Sequence, residues 1–91
     1  MEFDQVIAPI EGVFAQEVDG EMVLLDSQSK HYFGLDGVGR SIWDKLQTPQ
    51  TLQAVYDAIL EEYAVAPEVL RADLVTFIQS LHSHHLIEVE D

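Results

Sequence analysis

The chain contains no cysteine, which excludes disulfides, thiolate metal sites and cysteine nucleophiles. Basic side chains are nearly as scarce: Lys30, Arg40, Lys45 and Arg71 stand against 17 acidic residues, for a formal charge of −13. Nucleic-acid binders draw most of their affinity from Lys and Arg neutralising phosphates, and anionic membranes attract the same residues. Neither partner suits this sequence. No apolar run approaches the ~18 residues that span a bilayer, and Met1-Glu2-Phe3-Asp4 lacks the basic start of a secretory signal. The expectation is a soluble cytoplasmic protein with a neutral or cationic partner, the acidic surface serving solubility as well. A glycine-rich phosphate loop is missing too. Gly34, Gly37 and Gly39 lie around a strand-to-helix turn with no Lys-Ser/Thr after them, so backbone geometry explains them better than phosphate binding.

What is present points to one small domain. The 91 residues are 47% hydrophobic, too apolar for disorder and too few for a second core. Residues 1–12 are mixed, with Pro9 and Gly12, and read as a lead-in to a domain spanning 13–91. Val13–Val18 and Met22–Leu25 are runs of strand formers separated by Asp19-Gly20-Glu21, and Asp-Gly is the residue chemistry of a tight hairpin. Lys30–Leu35 follows as a third strand. Alternation places His31, Phe33 and Leu35 on the core face and Lys30, Tyr32 and Gly34 on the other.

The period then changes to that of a helix. Val38, Ile42, Trp43 and Leu46 predict a short amphipathic helix capped by Asp36. After Thr48-Pro49-Gln50-Thr51, where either Thr can cap, Leu52, Val55, Tyr56, Ile59, Leu60 and Tyr63 form the stripe of a second helix. Pro67 suits the first position of a third, which carries Val69, Leu70, Leu74, Phe77, Ile78 and Leu81 on one side. That helix ends near His84-His85, and Leu86–Val89 packs back or frays. Three strands followed by three helices make an α+β domain, a three-stranded antiparallel sheet with helices on one face, like a winged helix-turn-helix.

Catalytic chemistry has little to stand on. His82 and His85 are three apart, with His84 and Glu88 nearby, but the spacing matches no reliable metal signature, and helix C-termini favour histidine for the positive charge it can carry. Asp57, Glu61 and Glu62 lie opposite an apolar stripe and read as a solvated helix face. No nucleophile, base and orienting group come together, so the reading is a non-enzyme with no cofactor and no metal.

At Leu24-Leu25-Asp26, Tyr32-Phe33-Gly34-Leu35-Asp36, Gly39 and Ile42-Trp43, the sequence resembles the PqqD-like family, the leader-recognition elements of ribosomally made, post-translationally modified peptides. The likeness continues through Thr51, Leu60 to Tyr63, Asp73, Phe77, Leu81 and Leu86, covering roughly 13–89. Asp36 stands where the family usually has Asn, and His85 where it often has Gly. The members that serve pyrroloquinoline quinone synthesis tend to carry a proline-glutamate stretch before the third strand and Cys-Asp-Gly after the first helix. This chain has neither, and is more similar to the stand-alone recognition proteins of lasso peptide biosynthesis.

The resemblance implies that a precursor's leader adds as an antiparallel strand to the third strand, in a groove lined by the third helix, and is passed to a leader peptidase or other maturation enzyme. By position, the implied contacts are Lys30, His31, Tyr32, Phe33 and Gly34 with Val69, Leu70, Asp73, Leu74 and Phe77. Asp73 interrupts an apolar face and could pair with a basic leader residue. The residues reach a compatible place unaided, because the last strand of a meander is an open edge that a peptide can complete. The alternatives are a peptide chaperone of pyrroloquinoline quinone synthesis, a winged-helix DNA binder, a metal protein built on the histidines, and a module that pairs with itself as a homodimer through the edge.

Overall fold

A computed structural model describes residues 2–28, 30 and 32–90. His31, one of the expected contact residues, lies outside them. Two small antiparallel sheets and three helices surround one core. The elements are β1 (Val6–Pro9), β2 (Val13–Val18), β3 (Glu21–Asp26), β4 (Tyr32–Leu35), α1 (Gly37–Lys45), β5 (Gln50–Thr51), α2 (Leu52–Glu62), α3 (Pro67–Ser83) and β6 (Ile87–Glu90). No helix among the described residues is long and apolar enough to cross a membrane.

The expected meander is β2-β3-β4. Asp19 and Gly20 both take positive φ, 51° and 83°, the pair of left-handed residues that a two-residue type I′ hairpin turn requires. Val18 and Glu21 flank that turn as partners, which fixes the hydrogen-bond parity of the whole sheet. Bonded pairs alternate with non-bonded ones, so Glu21, Val23 and Leu25 turn their main-chain groups toward β2. The Ser27 N–H donates to the Gly12 carbonyl at 3.1 Å, continuing that parity. Met22 and Leu24 therefore bond to β4, opposite Leu35 and Phe33. The N–H and C=O groups of Tyr32 and Gly34 are left pointing out of the sheet.

Residues 1–12 are more than the expected lead-in. β1 is the central strand of a second sheet, β5-β1-β6, and Ile7 is fully buried. The segment also satisfies the start of α2, where the first N–H groups of a helix have no partner within it. Leu52 N–H donates to the Gln5 carbonyl at 3.1 Å and Gln53 N–H to that of Phe3 at 2.8 Å. Leu86–Val89 packs back, with β6 pairing to β1 from Val6↔Glu90 to Pro9↔Ile87.

The helices start where their caps predict. Asp36 accepts from the Gly39 N–H at 2.6 Å and Thr51 from that of Ala54 at 3.1 Å, while α3 opens on Pro67. Ile42, Trp43, Leu52, Val55, Ile59, Leu74, Ile78 and Leu81 share one core with Ile7, Leu24 and Ile87. Val69 departs from the expected stripe: it sits in the first turn of α3 and is half exposed. Lys30 also departs, since it precedes β4 in a left-handed conformation, φ 61°. The winged arrangement has no basic reading helix, because the Arg71 guanidinium of α3 lies 4.0 Å over the Phe3 ring.

Candidate functional site

Strand β4 ends its sheet, and among the described residues nothing pairs with its far side. Two of the other edges carry charge, which opposes unwanted pairing: Glu17 on β2, Glu88 and Glu90 on β6; the third, β5, is only two residues long. Along Tyr-Phe-Gly-Leu of β4 there is none. It is also the edge whose neighbouring space is hollow. A cleft of about 590 Å³ opens between β4, α1 and α3, lined mainly by Phe33, Val38, Ile42, Tyr63, Val65, Leu70, Leu74 and Phe77.

Local geometry holds that cleft open. Phe33, on the core-facing side of β4, meets Phe77 of α3 edge-on with ring centroids 6.2 Å apart. Gly39 is buried beneath; a Cβ there would come within 3.1 Å of the Asp36 carboxylate and 3.3 Å of the Phe77 ring, so any side chain would press on the lining. Tyr63 at the end of α2 shares a 2.7 Å hydrogen bond with the Ser41 hydroxyl of α1, pinning the cleft's floor to its wall. Two carboxylates, Asp36 and Asp73, interrupt the apolar lining, and no Lys or Arg joins them.

Beyond Phe33, toward the start of β4, lies a smaller recess of about 290 Å³ lined by Asp26, Tyr32, Phe33, Ser83, His84, His85 and Leu86. The His84 ring packs edge-on against Phe33 at 5.1 Å between centroids, and its Nδ1 lies 2.7 Å from the Ser80 carbonyl. Phe33 is thus the ridge between two hollows along one edge strand. The two hollows flank an edge strand whose Tyr32 and Gly34 main-chain groups face outward.

The family model for coenzyme PQQ synthesis protein D (PqqD) matches residues 21–87. The chain belongs to the PqqD family. Among solved structures, one described as TbiB1 in complex with the TbiA(beta) leader peptide is 36% identical, with a TM-score of 0.78 over 89% of this chain and 94% of that one. A second, lasso peptide synthetase B1 complexed with the leader peptide, is 22% identical, with a TM-score of 0.76 over 90% of this chain and 96% of the other, a likeness of fold. No curated protein sequence matches significantly.

On this PqqD-family fold, five of the expected contact residues come together at the larger cleft: Phe33, Leu70, Asp73, Leu74 and Phe77. Tyr32 borders the smaller recess, its side chain 69% exposed, and Gly34 borders a separate depression at the end of β4, shared with Met22, Leu35 and Arg40. Val69 and Lys30 line neither hollow. Sequence reasoning missed Asp36, Val38, Gly39, Ile42, Tyr63, Val65 and Ser80 as cleft residues. Periodicity marks the apolar ones as inward, but cannot separate those that face a neighbour from those that face a gap. The histidines do not form a helical pair: His82 lies in the last turn of α3, while His85 lies beyond the helix at φ 58°. Among the described residues no three His, Asp or Glu converge on one point.

Proposed function

We propose that this chain is a non-catalytic recognition domain that captures the leader segment of a ribosomal precursor peptide as an added strand on β4 and delivers it, in the cytoplasm, to a leader peptidase or other maturation enzyme of lasso peptide biosynthesis or a related class. The observation that carries this reading is the uncharged, open edge of β4 beside a large apolar cleft. Main-chain bonds to Tyr32 and Gly34 would supply affinity, and the cleft would take alternate side chains of the added strand. Phe33, Leu70, Leu74 and Phe77 would hold an apolar anchor; Asp73 at the rim would favour a basic neighbour. Likeness to TbiB1 supports the same partner class. The leader is expected to order only on binding, and capture raises its effective concentration at the enzyme.

The family description suggests a second reading, capture of the precursor in coenzyme PQQ synthesis. The 36% identity to TbiB1 and the Gln47-Thr48-Pro49 that follows α1 in place of Cys-Asp-Gly favour the first. A DNA-binding role has no cationic surface to rest on.

Proline substitution tests strand addition. Tyr32→Pro and Gly34→Pro each delete an outward donor, whereas Phe33→Pro deletes a bond to β3. For the TbiA(beta) leader peptide, the two outward variants should lose at least about fivefold in affinity, one hydrogen bond of ~1 kcal/mol, with the circular dichroism spectrum retained. Phe33→Pro should lower the melting temperature. Unchanged affinity in both folded outward variants would rule out strand addition.

A further inference from the structure

Gly34 is a glycine that the fold itself does not require. Its sequence context suggests a backbone need, yet among the described glycines only Gly12 and Gly20 have positive φ. Packing does not demand it either: among the described residues, no heavy atom lies within 4 Å of the place a Cβ would take. Glycine weakens a strand interior, and where it persists it often marks the close approach of a ligand or another backbone. Gly34 stands opposite half-buried Val23 of β3, on the face of the meander turned away from the core, with its N–H and C=O off the open edge. A residue of an added strand that bonds to those groups stands directly opposite Gly34, its side chain on the same outer face. With no Cβ in its way, that side chain can lie across β4 toward Val23.

The surroundings select the kind of side chain. Tyr32, two residues along on the same face, is exposed and within diagonal reach of a ring placed opposite Gly34. A depression of about 540 Å³ runs from Gly34 to Glu21 and Arg40, and a guanidinium stacks on aromatic faces. An aromatic ring across an edge glycine also supplies the cover that the glycine lacks. We propose that Gly34 is a specificity-determining residue, admitting an aromatic side chain of the bound leader across the outer face of β4; the assignment rests on strand addition to β4. Successive side chains of a strand point to opposite faces. The aromatic residue is therefore an odd number of positions from the apolar residue that fills the larger cleft.

The test uses the TbiA(beta) leader peptide in two positional series, each residue in turn replaced by Trp or by Ala. Each peptide is titrated by fluorescence anisotropy into the full chain and into its Gly34→Val variant. That variant should melt at or above the parent's temperature, because a β-branched residue suits a strand and pairs well with Val23. At one position Trp should bind about tenfold more tightly than Ala, and Gly34→Val should cut that preference to about twofold. That position should lie an odd number of residues from the cleft anchor, the alanine-sensitive position that Gly34→Val leaves unchanged. The proposal is overturned if no position shows a Trp preference that Gly34→Val removes, or if that position has even parity, even though the parent peptide binds. A Gly34→Val chain that unfolds or melts lower also overturns it, since the chain's own packing would then require the glycine. If the parent peptide does not bind the full chain at all, leader capture itself fails, and the proposal with it.

Discussion

His85 shows how one residue can report on a backbone it does not suit. The N–H of His85 donates to the His82 carbonyl and that of Leu86 to the Leu81 carbonyl, at 3.1 and 3.0 Å, the paired bonds of a Schellman cap. Leu81 and Leu86 are buried, which supplies the apolar contact that accompanies such a cap. The residue between must be left-handed, and a Cβ there costs ~1–2 kcal/mol. Glycine removes that cost but loses ~0.5–1 kcal/mol in chain entropy. His85→Gly should therefore raise stability by roughly 0.5–1 kcal/mol in urea denaturation, and His82→Gly, inside the helix, should lower it by about 1 kcal/mol. Stabilities that moved the other way would mean the cap is not formed. The family's frequent glycine at this position thus has a physical reason, legible only once φ is known.

At the scale of elements, the cleft depends on how α1 and α2 are held. The Tyr63 hydroxyl lies 2.7 Å from Ser41 Oγ and 3.5 Å from the Gly37 carbonyl, and Lys45 at the end of α1 forms an ion pair with Glu62 at the end of α2. The ion pair is partly exposed and contributes little. The hydroxyl contact is the stronger lock. Tyr63→Phe should cost ~1 kcal/mol, and a double-mutant cycle with Ser41→Ala in thermal denaturation should show coupling of ~0.5 kcal/mol or more; additive effects would show that the two hydroxyls do not hold the helices together. All three helices and the β2-β3-β4 meander are legible in the sequence, because caps, the Asp19-Gly20 turn and apolar periodicity are local signals. β1, β5 and β6 are not. Val6–Pro9 is four residues ending in proline, and its partners lie some 40 and 80 positions away.

For the molecule as a whole, the N-terminal segment ties both ends of the helical layer together. β1 bridges the start of α2 and the strand after α3, and Phe3 stacks edge-on with Tyr56 at 5.8 Å beneath Arg71 of α3. Ile7→Ala should therefore cost ~2–5 kcal/mol, as for any fully buried large aliphatic residue. Deleting residues 1–10 should cost more, because it also strips the Leu52 and Gln53 N–H groups of their acceptors. Chemical denaturation measures both. A truncated chain as stable as the full one would make the segment a lead-in after all.

The order of residues alone determined the acidic character, the hairpin, the helix starts and the side of β4 that faces inward, since each depends on neighbours within a few positions. Five of the ten expected contact residues fall in the larger cleft for the same reason: Phe33 follows from strand alternation, and Leu70, Asp73, Leu74 and Phe77 share one helix face. Only the tertiary structure decided that the chain's own N-terminus completes a different sheet and leaves β4 open. It alone divided the apolar residues between core and cleft, and set His84 against Phe33 to make a second hollow. Those outcomes depend on contacts between segments far apart in the chain, where no local pattern carries the information.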